Sequence, residues 1–407
     1  MAIRTDNNKS RGAKSIARRP NLFESIGNFR NGFLANQSKE YISLLRLIGF
    51  MVVFGLVMVL SASNVNSIIA TGNPFGAVFL QVIWAILGFV AMFWISTLKI
   101  EQIERFGRIF FLGSLCAQVL VIVPGIGMSS GGNTNWIGFN GYGIQPSEFL
   151  KLGLIIYLAT LLSQRMDQLW NWKETGQPVM LVGFGSAGLV FVTGRDLGTA
   201  AVMLFIVLGI VFLAGFPWQH IMKFVAAMAV VFVIGALLSP SRIVRILTFF
   251  TQASDDPDGA SWQVRHGIWA LASGGITGTG LGQSKLTWGW IPEIENDFIF
   301  ASIGEEWGFI GALVILGLFF MLFVKLRKMA QASPDAFVSL VITGIMLWVT
   351  LQALINIAVV LHLVPVLGVP LPLISKGGSS LVAILMALGV VLSFERQRAV
   401  VPKKRRR

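Results

Sequence analysis

In the segment 288–308, WGWIPEIENDFIFASIGEEWG, the acids Glu293, Glu295 and Asp297 follow Pro292 and lead into an apolar stretch long enough to cross a bilayer. Glu305 and Glu306 lie inside that stretch. Carboxylates at membrane depth are costly to desolvate and usually face a cavity or a partner. One so placed can accept the proton of an attacking hydroxyl, provided it lies within hydrogen-bond reach. Glu293, Glu295 and Asp297 share a face if the segment is extended, and Glu293 and Asp297 share one if it is helical. Helix capping explains the same cluster, because acids at an N-terminus complement the dipole and its free N–H groups. The residues alone leave both readings open. Glu305 and Glu306 lie about two turns deeper, where capping fails, and read as a buried pair bound to other helices.

Other residues have the chemistry to grip a sugar or an anion. In 131–151, GGNTNWIGFNGYGIQPSEFLK, Trp136 sits in a Gly/Asn-rich stretch. An indole there is either a membrane-interface anchor or a flat face for a sugar ring. Glu148 and Lys151, at i and i+3, can pair on one helix face, or the lysine can hold a pyrophosphate. Arg195 precedes Asp196 in GRDLGTA (194–200). Its planar, permanently charged guanidinium suits phosphate, and a local pair with Asp196 is the equal alternative. In 362–380, HLVPVLGVPLPLISKGGSS, Lys376 stands among Pro365, Pro370, Pro372, Gly377 and Gly378. So many helix breakers between apolar runs mark a re-entrant or cavity-lining loop, tolerated only beside protein or water. A solvated loop lysine is the plain reading of Lys376.

The elements that must position these residues are membrane helices. Of 407 residues, 55% are hydrophobic and 13% charged, and mean hydropathy is +0.74. A soluble domain carries about twice that charged fraction. Cys116 is the single cysteine, so there is no disulfide framework. His220, His266 and His362 are scattered without metal-ligand spacing. The net charge of +13 lies mainly in the tails and between apolar runs, which suits anionic lipid rather than nucleic acid. The first apolar run begins near Leu44, too late for a cleavable signal peptide.

Apolar runs near 44–62, 75–96, 108–126, 148–164, 178–193, 197–215, 219–239, 298–324, 337–363 and 380–395 predict an all-α polytopic protein with about ten transmembrane helices. Lys and Arg concentrate at the N-terminus, the C-terminus and alternate loops, Lys99, Arg105 and Arg108 among them. The positive-inside rule then places both termini in the cytoplasm. It also places 127–147, 240–297 and 364–379 outside, with the large loop between spans 7 and 8. Residues 1–43 and 396–407 read as basic cytoplasmic tails, the first disordered, flanking a membrane domain over 44–395. A loop as long as 240–297 is usually functional. Its segment 261–272, SWQVRHGIWALA, predicts an interfacial helix. The glycine-rich GGITGTGLGQSKLTWGW (274–290) allows tight turns and lacks a Walker-type lysine, so it is no phosphate loop.

Taken in order, the W-I…QPSEFLK block, DLGTA (196–200), the run from SGG through GLGQS…W.W.PE…NDFIFA…GEE.G, and NIAVV…PVLGVPLPLISKGGSS resemble the SEDS family of membrane glycosyltransferases. The resemblance covers roughly 44–395. It is nearest the division branch typified by FtsW, with the elongation branch typified by RodA next. It implies a hexosyltransferase that polymerises lipid II outside the cytoplasmic membrane and releases undecaprenyl diphosphate. It also implies a class B penicillin-binding transpeptidase and other divisome proteins as partners, at the septum of a dividing cell. The family's essential aspartate falls on Asp297, its loop tryptophan on Trp136, and its acid–lysine pair on Glu148 and Lys151. Lys151, Arg195 or Lys376, with or without Mg²⁺ or Mn²⁺, would stabilise the leaving diphosphate, and Glu293 would support the base. The pattern is broken at Asn135, where a basic residue is usual, and at Arg195, where proline is usual. It is broken again at Ile294-Glu295-Asn296 and at Lys376, a common tyrosine. Rival readings are a lipid II flippase, which needs ligand sites open to both faces, and a non-catalytic scaffold.

Overall fold

The computed structural model describes residues 37–130, 133–139, 142–237, 260–285 and 294–400, together with 243, 245, 249, 288 and 290. Helix α1 (Lys39–Thr71) starts five residues before the expected span, because Ser38 caps it by accepting the Tyr41 N–H at 3.0 Å. Helices α2 (Gly76–Ser96) and α3 (Ile100–Leu120) follow. The expectation placed Arg105 and Arg108 in a loop before a span at 108. Instead they form the exposed first turns of α3, where Arg108 lies 3.8 Å from Glu104 at i,i+4. Charge sorted onto one face of a helix gives no sign of where the helix starts.

The expected loop 127–147 contains an antiparallel sheet, β1 (Gly127–Ser130), β2 (Asn133–Phe139) and β3 (Tyr142–Ile144), in that spatial order. Met128 pairs with Trp136, and Ile137 with Ile144. Strands this short, rich in Gly and Asn, show almost no period-two pattern. The chain continues through α4 (Pro146–Ser163), α5 (Gln177–Gly194), α6 (Leu197–Leu213) and α7 (Trp218–Leu237). Then come α8 (Ala260–Gly274), as expected, α9 (Ile299–Gln331), α10 (Ala336–Val360) and α11 (Gly378–Val400).

Among the described residues, eight helices are long and apolar enough to cross a membrane: α1, α2, α4, α5, α7, α9, α10 and α11. Helix α6 is apolar but shorter, and α3 carries too many charges to count by composition. Helices α4, α10 and α11 are largely buried at the centre, whereas α2 and α7 turn most of their apolar residues outward. The start of α1 and the end of α11 meet, since Ser38 Oγ donates to Glu395 Oε1 at 2.9 Å.

Helix α9 is broken at Gly308, whose φ of 67° and ψ of −163° are not helical. Carbonyls and N–H groups freed at such a break need partners at membrane depth. The glycine-rich segment after α8 supplies them. Thr279 and Gly280 donate to the Glu305 and Glu306 carbonyls at 2.9 and 3.0 Å, while Phe309 and Ile310 donate to Gly275 and Ile276 at 2.9 and 3.2 Å. Gly278 (φ 82°) makes the approach possible, because a Cβ there would run into the Glu306 carbonyl.

Candidate active site

A cavity of about 580 Å³ opens where α2, the three-stranded sheet, α8, the start of α9 and the segment before α11 converge. Asp297, Lys376 and Trp136 all stand in its wall, with Gln81, Gln263 and Arg245. Trp136 is presented by β2 and packs on Gly143 of β3, so its indole faces the cavity from the sheet.

Asp297 lies two residues before Ile299, where α9 begins, and its carbonyl is held from α10. Asn356 of α10 donates both its side-chain protons, to the Asp297 carbonyl at 2.7 Å and to the Val369 carbonyl at 2.8 Å. Asp297 and the proline-rich loop are therefore held by one buried amide. The loop also packs on the carboxylate: a Cβ on Gly368 would lie 3.5 Å from Asp297 Oδ2.

Lys376 is tied to the same segment. Its N–H donates to the Glu295 carbonyl at 2.8 Å, and its ammonium lies 3.3 Å from Glu295 Oε1. Asn66 of α1 donates to the other Glu295 oxygen at 3.2 Å. Gln81 of α2 braces the loop on either side of Lys376, donating to the Ser375 carbonyl at 3.3 Å and accepting the Gly377 N–H at 3.2 Å.

The remaining sequence candidates fall elsewhere. Lys151 and Glu148 are 1% and 2% exposed and pair at 2.9 Å, outside the cavity wall. Lys151 also donates to Gln352 at 2.9 Å and lies 4.9 Å over the Trp348 ring. Gln352 in turn donates to the Pro370 carbonyl at 3.0 Å, so the pair is linked to the back of the loop. Arg195 is exposed, in a left-handed turn with φ 54°, and is not part of the cavity wall. Its neighbour Asp196 is the wall residue. It caps α6 through the Thr199 N–H at 2.9 Å and accepts the side-chain amides of Asn135 at 2.7 Å and Gln145 at 3.3 Å. Asp196 thus ties the sheet to the start of α6. Glu293 lies outside the described residues.

Glu305 and Glu306 are 1% and 2% exposed. Glu305 accepts from the Ser284 hydroxyl and, at 2.9 Å, from the Lys285 N–H, and Glu306 accepts from Ser61 of α1 at 2.6 Å. They are the structural pair the sequence suggested. Arg245, Gln81 and Gln263 were not foreseen as wall residues, since polar residues without a motif carry no local signal. Among the described residues no three His, Cys, Asp or Glu side chains group to hold a metal ion.

An apolar helical bundle enclosing a polar chamber, with carboxylate, ammonium and indole on its wall, defines a polytopic integral membrane protein with a site at one end of its helices. The chain belongs to the FtsW/RodA/SpoVE family, described as cell cycle proteins, whose family model matches residues 42–400. Stage V sporulation protein E of Bacillus subtilis is 37% identical over 347 residues, 85% of this chain and 94% of that one. The probable peptidoglycan glycosyltransferase FtsW of Mycobacterium tuberculosis is 33% identical over 400 residues, 96% of this chain and 76% of the relative. Among solved structures, a chain of a peptidoglycan synthase complex that coordinates polymerization and crosslinking is 29% identical with a TM-score of 0.72. That alignment covers 88% of this chain and 97% of the other. The rod shape determining protein RodA of Thermus thermophilus aligns with a TM-score of 0.63 at 27% identity, covering 88% and 96%.

Proposed function

We propose that this protein is a peptidoglycan glycosyltransferase that polymerises lipid II at the outer face of the cytoplasmic membrane during septal wall synthesis. The observation that carries this reading is the placing of Asp297, Lys376 and Trp136 around one cavity. A sugar hydroxyl is a weak nucleophile, and Asp297 is the base that takes its proton as it attacks the donor's anomeric carbon. Bond formation and loss of the lipid diphosphate in one displacement invert that centre, so no second carboxylate is required. Lys376 and Arg245 supply positive charge to the leaving diphosphate, and the Trp136 indole offers a face to a sugar ring. Among the described residues the wall groups no three side chains that would hold a divalent cation, so no step is assigned to one.

The ten-span topology with both termini inside belongs to the same proposal, as does a transpeptidase partner of the class B penicillin-binding type. Its support is the basic character of the tails and the meeting of Ser38 with Glu395, at the end of the bundle away from the cavity. The FtsW-named relatives favour division over elongation. The test is polymerisation of lipid II by the purified chain in vesicles, with and without the transpeptidase. Glycan strands from the wild type and none from Asp297→Asn support the reading. Transbilayer movement of lipid II without polymer would replace it with a flippase.

A further inference from the structure

A second cavity of about 580 Å³ lies at the opposite end of the bundle, between the start of α1, the last third of α9 and the end of α11. Its two ends differ in chemistry. Toward the chain termini stand Lys325, Lys328 and Arg398, against the single acid Glu40. Toward the membrane interior the wall is Gly317, Phe320, Met321 and Val324 of α9. Phe320 is 68% exposed and Met321 47%, so these side chains flank the groove rather than close it. The floor at Gly317 is open, since a Cβ there meets no atom within 4 Å.

We propose that this groove binds one anionic glycerophospholipid, with its phosphate on Lys325, Lys328 and Arg398 and an acyl chain along α9. The dimensions agree. From Gly317 to Lys328 a helix rises roughly 16 Å, about half the thickness of a bilayer's hydrocarbon core, which is the depth of one acyl chain. The charges agree as well. Three cations face one carboxylate, and Arg398 is only partly engaged by Glu395, at 3.4 Å. Lys325 is held in place by donating to Ser43 of α1. Basic pockets between membrane helices at the headgroup level take anionic lipids for this reason. A lipid seated there bridges α1, α9 and α11.

The test uses the full-length purified protein and native mass spectrometry with phosphatidylglycerol or phosphatidylcholine as the probe. The wild type should retain one phosphatidylglycerol at least about tenfold more tightly than phosphatidylcholine. Lys325→Gln and Lys328→Gln should each weaken it about fivefold. Gly317→Leu leaves every charge in place but fills the groove, and it should abolish retention. Lys328→Gln and Gly317→Leu decide the matter if Lys325→Gln fails to fold. Equal retention of both lipids overturns the proposal. So does full retention by Gly317→Leu, which would reduce the site to unselective surface charge.

Discussion

Glu295 holds Lys376 at both ends: its carbonyl accepts the Lys376 N–H at 2.8 Å while its carboxylate lies 3.3 Å from the ammonium. The Lys376 side chain is 34% exposed and Glu295 only 8%, so the lysine faces the cavity and the acid stands behind it. A diphosphate entering the cavity competes with Glu295 for that ammonium. Glu295→Gln keeps an oxygen for Asn66 and removes the competing charge. Inhibition by inorganic pyrophosphate should then tighten about three- to fivefold, the range open to a partly exposed pair. Slower product release should lower kcat and KM together. The effect should vanish in a Lys376→Met background, and its persistence there would dissociate Glu295 from Lys376.

Asp297→Asn removes the proton acceptor but keeps the size of the side chain and the backbone bond to Asn356. Polymerisation of lipid II should fall about 10²- to 10⁴-fold, with substrate binding and thermal stability nearly unchanged. Gel analysis of glycan strands, alongside a lipid II binding titration, checks both halves.

Lys151→Met tests the pair that stands behind the cavity. Removing one partner of a buried ion pair strands the other, at a cost of about 3–5 kcal/mol. A large drop in Tm is expected, and Lys151→Met with Glu148→Gln should recover much of it. Protein that still folds should keep its KM for lipid II, whereas a KM rise in proportion to the loss of kcat/KM would return Lys151 to the substrate site.

Gly278→Ala places a methyl group against the Glu306 carbonyl at a residue with φ of 82°. The glycine-rich segment should detach from the break in α9, costing about 1–3 kcal/mol. Gly49→Ala is the matched control. It lies in α1 with open space around it, and should raise stability by about 0.5–1 kcal/mol. Thermal unfolding in detergent measures both.

What the sequence made legible follows the range of each signal. Apolar runs are continuous and local, so each of the ten expected runs overlaps a helix, eight of these helices being long and apolar enough to cross a membrane among the described residues, and the start of α3 was missed where charge hid it. Asp297, Trp136 and Lys376 were legible because they sit in motifs with unusual neighbours. Lys151 and Arg195 stand outside the cavity wall, and a charge near a membrane edge looks the same in sequence whether it faces a cavity, a partner or solvent. Deciding between these needs Gln352 and Asn135, which lie far away in sequence. The sheet carrying Trp136 was invisible for the opposite reason, as its strands are too short to show a period.

The two bonds from Asn356 have a mechanical consequence. Because one amide grips the Asp297 carbonyl and the Val369 carbonyl together, a sideways shift of α10 carries both walls by the same amount. Their separation is set by the width of a single side chain, not by how the helices happen to be pressed by surrounding lipid. The spacing of these two backbone points along the cavity is thus gauged by one amide rather than by the packing of whole helices.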